Sequence, residues 1–326
     1  MLLRDLLAHE DPQIAAILAV VNRVNPDILL LTDFDYDAGG VGMATFSEGL
    51  HRPYEFQYSA QPNAGVQTGL DVDGNGYTGD ARDALGYGRF FGDGGMALFS
   101  RYPILTESIT DLTDLFWRDV PGRELPTLNG AAFPSEKVLD VLPVSSTGHW
   151  IVPIDVDGAV ISLFAYSATA PVFDGPEDFN GLRNRDELRV WEAVLDGSLQ
   201  ADFTSPVVIG NVNADPFDGE GIRGGIGRVL THPNLQDPMQ RSVGAVISAD
   251  RDHVGDPAFD TADWPEDGPG NLRVSYVLPS REMEVIDAGV FWPAPDDLAA
   301  GLLGSDGLAA GPHHLVWVDV RLQSSP

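Results

Sequence analysis

Cysteine is absent from the 326 residues. That excludes disulfides, thiolate metal sites and a cysteine nucleophile, and it leaves the compartment open, because a chain without thiols suits either redox environment. Positive charge is scarce: 19 basic residues stand against 49 acidic ones, a formal net charge of −30. A field of that sign repels polyanions at long range, which argues against non-specific nucleic-acid binding and favours solubility. Long apolar runs are missing too, since none reaches the roughly 18 residues that a membrane span needs. The opening MLLRDLLAHEDPQ carries Arg4, Asp5, His9, Glu10 and Asp11. It therefore lacks the basic start and continuous apolar stretch of a signal peptide.

What the chain does have is apolar substance. Hydrophobic residues make up 43% of it, enough for a substantial core rather than a disordered chain. EDPQIAAILAVVNRVNPDILLLTDFDYD reads as helix, turn, strand. Asp11 can cap, Pro12 suits the first helical position, and Ile14, Ile17, Leu18, Val21 and Val24 recur at helical spacing. Asn25-Pro26 stops the helix, and Ile28 to Leu31 is a buried-strand run. Further strands are expected at Met96–Phe99, His149–Ile154, Val160–Tyr166, Val207–Ile209, Leu272–Leu278 and Leu315–Val320. NRDELRVWEAVLDG reads as a helix with Leu188, Trp191, Val194 and Leu195 on one face and Gly197 closing it, and GEGIRGGIGRVLTHP as a weaker one. Long loops are expected over Thr169–Arg183 and Ser248–Gly270. No repeat or composition shift divides the chain.

In this order, NPDILLLTDFDYD, GGMALFSRYPI, GNVNADPFDG, NLRVSYVLPS and HHLVWVDV resemble the endonuclease/exonuclease/phosphatase superfamily, with the DNase I-like fold. PVFDGPEDFNGLRNRDE and GLDVDGNGYTGDARDALGYGRF look like a bacterial branch of it. The resemblance implies an α/β fold, a four-layer sandwich of two packed mixed β-sheets flanked by helices, as one domain over residues 1–326. Leu29, Val208, Val274 and Val316 are then expected to share one two-sheet core. Because Met1 stands directly before the first helix, the family's first strand is expected to be lacking.

The resemblance also implies a metal-dependent phosphoric ester hydrolase. There a divalent ion, usually Mg2+, polarises a phosphate ester while an activated water attacks phosphorus. Carried over residue by residue, the matched positions depart from that pattern. Asp33 stands where a metal-binding glutamate is usual, and a turn aspartate is the alternative. Ser167 replaces the first histidine. In Gly210-Asn211-Val212-Asn213, Asn213 is retained but Asn211 replaces the aspartate, and an amide accepts no proton. Ser275, within Arg273-Val274-Ser275-Tyr276, replaces the aspartate that supports the last histidine. In Gly311-Pro312-His313, Pro312 replaces a carboxylate. His313 remains, either as that histidine or as a solvent-facing loop residue. Asp33, Asp35, Asp37, Asp215 and Asp237 are candidates for re-recruited acids.

A second constellation lies in DVDGNGYTGDARD. Asp71, Asp73, Asn75 and the Tyr77 carbonyl sit at calcium-loop positions 1, 3, 5 and 7, with Gly76 at the sharp turn. Arg82 occupies the position of the bidentate glutamate, which Asp80 or Asp83 could replace. The alternative is an acidic glycine turn. Three functions follow: a scaffold with impaired hydrolysis that binds a phosphate-ester ligand or a protein partner, an active phosphoesterase with re-recruited acids, or a Ca2+-stabilised module.

Overall fold

The computed structural model describes residues 2–322. Two helices open it, α1 (Leu2–Ala8) and α2 (Pro12–Val24). The Asp11 carboxylate accepts hydrogen bonds from the Gln13 and Ile14 amides, and Asn25 ends α2 in the left-handed region at φ 54°. β1 (Ile28–Thr32), α3 (Val41–Glu48), β2 (Phe56–Tyr58) and β3 (Met96–Ser100) follow. The three strands form an antiparallel sheet in the order β1-β3-β2.

After β4 (Thr110–Asp111) come the small hairpin β5 (Thr127–Leu128) and β6 (Ala131–Ala132), and the short α4 (Glu136–Leu139). Then come β7 (Gly148–Val156), β8 (Ala159–Ser167), α5 (Phe179–Leu195), β9 (Pro206–Asn211), α6 (Gly225–Leu230), α7 (Val243–Ile247) and β10 (Ser275–Pro279). The second sheet has the order β10-β9-β8-β7-β4 and is mixed, because β8 and β9 are parallel while its other neighbours are antiparallel. β11 (Glu284–Val290) and β12 (Val316–Arg321) pair separately.

Strand alternation builds the layers. Ile28 and Leu30 of β1 meet Trp150, Val152 and Leu163 between the sheets, and Val207 and Ile209 of β9 point into the same space. Leu29 points the other way, onto Leu6, Val21, Met43 and Phe46 of the N-terminal helices. Val208 points onto Trp191 of α5. Helices, sheet, sheet and helices therefore stack as four layers. One expectation needs correcting. Leu29, Val208, Val274 and Val316 do not share a core, since the period of two sends the first pair to the outer layers. Val274 packs with Ala262 and Leu272, and Val316 with Val290 and Trp292.

The Thr169–Arg183 loop is shorter than expected because α5 already begins at Phe179, and the 272–278 strand begins only at Ser275. The first half of α5 is buried yet polar. Glu187 accepts from the amides of Ser146 and Thr169, and Asn184 donates to the carbonyls of Thr169 and Val212. Arg183 donates to four carbonyls between Leu85 and Ser145. Burial raises the Glu187 carboxyl to about 7, partly countered by Arg183. This polar face fastens the loops that leave the C-terminal ends of β8 and β9.

Candidate active site at the strand ends

Ser167 ends β8 and Asn211 ends β9, and the parallel register places them side by side. Ser275 opens β10 directly across from Asn211. The three side chains form one row across three neighbouring strands. By alternation the row lies on the face turned toward the other sheet, in line with Leu163, Val207 and Val277. The backbone at Gly210 crosses very close to β8: a Cβ there would stand 1.9 Å from the Tyr166 carbonyl oxygen. Only glycine allows this approach.

Asn213 follows at φ 52°, left-handed, where asparagine is tolerated. Its amide N–H donates to Asn211 Oδ1 at 3.2 Å, and its side-chain Nδ2 donates to the Ala168 carbonyl at 2.8 Å. The one retained asparagine thus locks the β8 and β9 ends together, and it draws the Asn211 side-chain oxygen into a local turn.

Asp33 follows β1, also left-handed at φ 58°. Thr32 pairs with Met96, whose Cε stands 3.0 Å from a Cβ built at Gly148, and Gly148 pairs with Ser167. Asp33 and Ser167 therefore lie at the same end of the sandwich. Crowding by protein, and then the charges of Asp93 and Asp35, raise the pKa of Asp33. Asp93 comes from a glycine-rich loop far along the chain, and nothing in the sequence marks it as a neighbour of Asp33.

His313 pairs in a bridge with Ala262, and Trp264 meets its ring edge-on at 5.0 Å. The adjacent Thr261 Oγ accepts from the Ser275 amide at 3.0 Å, which ties this loop to the row. His313 is exposed as a residue, yet the protein packed around it lowers its pKa. His314 is a different residue in kind. It is buried, stacked on Trp292 at 3.9 Å, and burial lowers its pKa to about 4.

Four of the five acids offered for re-recruitment have other partners. Asp37 accepts from the Val41 and Gly42 amides at the start of α3. Asp215 accepts from the amides of Phe217, Asp218 and Arg273. Asp237 holds Arg273 with two hydrogen bonds, of 2.6 and 2.8 Å. Asp35 accepts from the Leu2 amide at 2.8 Å.

The model of the endonuclease/exonuclease/phosphatase family matches residues 5–306. The chain belongs to this family. Three solved members share its fold. The protein from Beutenbergia cavernae has a TM-score of 0.52 at 16% identity, over 96% of this chain and 66% of its own. That from Leptotrichia buccalis has 0.52 at 12%, over 95% and 92%. That from Bacteroides vulgatus has 0.51 at 10%, over 96% and 91%. The chain thus spans just under two thirds of the first. No curated protein matches it significantly.

The side chains at the matched positions do not fit a magnesium site of the kind the family implies. A hard divalent cation of that size needs anionic oxygens in near-octahedral array. The row supplies two hydroxyls and an amide whose oxygen is already engaged, Pro312 has no side-chain oxygen, and Asp33 is the one carboxylate among the matched positions.

The glycine-rich segment after Leu70 gathers a second set of acids. One carboxylate oxygen each of Asp71, Asp73 and Asp83 comes within 4.8 Å of the others. Asp71 accepts from the amides of Asn75 and Gly76, which closes the turn. For the last position of the loop, Asp83 joins the group. Asp80 instead caps the turn at Arg82 and accepts from Asn75 Nδ2.

Proposed function

We propose that this chain keeps the family's phosphoesterase scaffold with hydrolysis impaired or lost, so that a phosphate ester bound at its strand-end row is not turned over. The observation that carries this reading is the row Ser167–Asn211–Ser275. It is in register on three neighbouring strands, yet none of its side chains ionises at working pH. A water held there has no side chain in the row to take its proton. His313 has no carboxylate in the row to balance an imidazolium, and the protein around it disfavours the charged form. A magnesium titration by calorimetry tests the metal side of this reading. Binding weaker than about 1 mM is expected. A micromolar site that disappears in Asp33→Ala would sink it.

A calcium-pinned loop is a second property, supported by the convergence of Asp71, Asp73 and Asp83. Asn75 and the Tyr77 carbonyl would complete an oxygen shell suited to calcium. An ion bound only by the native state raises stability by mass action, about 2.7 kcal/mol at a hundredfold excess over Kd. Millimolar calcium should therefore raise the melting temperature of the native chain, and Asp71→Ala with Asp73→Ala should remove the rise. A melting temperature indifferent to calcium would refute the site.

A further inference from the structure

The chain carries a net charge of −30, yet four of its arginines line one cavity of about 260 Å3. Arg185 and Arg189 come from α5, Arg223 from the turn before α6, and Arg228 from α6 itself. Glu124, Glu192 and the Ile222–Gly225 backbone complete the wall. The cavity shares no residue with the strand-end row.

Only one of the four arginines is fully engaged by the protein. Arg185 donates from Nε and Nη2 to Asp186 and from Nη1 to Glu124. Asp186 is buried beneath and also accepts from the Glu124 amide and the Trp117 indole, so this wall is fully hydrogen-bonded. Arg189 lies against the bare Gly122 turn, where a Cβ would stand 2.7 Å from its Nη1. Its Nε is buried, 3.4 Å from Asp186, without a hydrogen-bond partner. Arg228 is 3.7 Å from Glu192, with both groups partly exposed, a separation worth little in water. Arg223 has no ion-pair or hydrogen-bond partner among the described residues. Four guanidiniums against three carboxylates leave the cavity positive inside an otherwise repelling field.

We propose that this cavity is an anion site for the phosphoryl group of a small phosphorylated ligand, held by Arg189, Arg223 and Arg228, with Arg185 as the fixed wall. Guanidinium forks match the spacing of phosphate oxygens, and converging forks select a compact, multiply charged oxyanion over a monovalent ion. The cavity is short and the surrounding field negative, so a small ligand suits it and a nucleic-acid strand does not. The site is independent of the reading given to the strand-end row.

Inorganic pyrophosphate is the probe, titrated by calorimetry in EDTA against sodium chloride of matched ionic strength. EDTA removes any metal-borne phosphate binding elsewhere. The native chain should bind with a sub-millimolar Kd. Arg223→Ala with Arg228→Ala, both exposed positions, should weaken binding at least tenfold without loss of fold. Glu192→Gln should tighten it. Absence of binding, or equal binding by the double variant, would each overturn the proposal. The second result would place the anion elsewhere, the strand-end row included.

Discussion

Ser167→His, Asn211→Asp and Ser275→Asp, made together, should raise magnesium-dependent phosphodiester hydrolysis at least about 10²-fold over the unaltered chain. A positioned general base alone typically contributes about 10²- to 10⁴-fold. The three sites are consecutive rungs of one register row, so the new side chains would stand as neighbours rather than scattered. An aspartate at position 275 would be tied through Thr261 to the loop of His313. It could then balance an imidazolium that its surroundings now disfavour. An aspartate at position 211 would supply both a proton acceptor and a second anionic oxygen for the metal. Ser167 is buried, so its enlargement risks about 1–3 kcal/mol of overpacking. The near-isosteric Asn211→Asp serves as the variant that avoids this, and circular dichroism checks that both fold. A folded triple variant with no gain would show that these departures are not what limits the site.

Gly210→Ala should cost about 3 kcal/mol, the upper end of what overpacking usually costs. The added methyl would meet the Tyr166 carbonyl oxygen at 1.9 Å, a backbone atom that cannot swing aside. β9 must then leave β8, and with it goes the Asn211–Ser167 pairing on which the row depends. Urea unfolding should show a lower midpoint. A change below about 0.5 kcal/mol, within the range of inert surface substitutions, would mean that the strands are not this close.

Much of this molecule is written locally. Asp11, Pro12 and Asn25 bracket α2 because capping and left-handed termination are short-range effects. The apolar runs of β1, β3, β7, β8 and β9 fall where composition places them. The strand that ends in Gly210-Asn211 is likewise legible, and so are the residues that come beside it.

Other features depend on partners far along the chain. The sequence does not mark the polar first half of α5 as buried, but Ser146, Thr169 and Val212 supply hydrogen bonds that let Glu187 and Asn184 be buried. Asp37, Asp215 and Asp237 look available in sequence, yet amides and Arg273 engage their oxygens. β11 is not legible in the sequence because its outer positions are polar, with Glu284 and Asp287 exposed, and its pairing with β12 bridges a long separation. The face on which Leu29 and Val208 lie could have been read from alternation. Which layer each face meets could not. The arginine cavity is invisible in sequence for the same reason: Glu124, Arg185 and Arg223 converge only through the fold.

The central claim is that the scaffold persists while the strand-end row cannot run the family's hydrolysis. Its most direct test is the unaltered chain itself, assayed with magnesium, manganese and calcium against phosphodiester and phosphomonoester substrates, beside Asp33→Ala and His313→Ala. The account predicts that all three proteins give the same rate as a catalyst-free blank. Metal-dependent turnover by the unaltered chain that either substitution abolishes would contradict it.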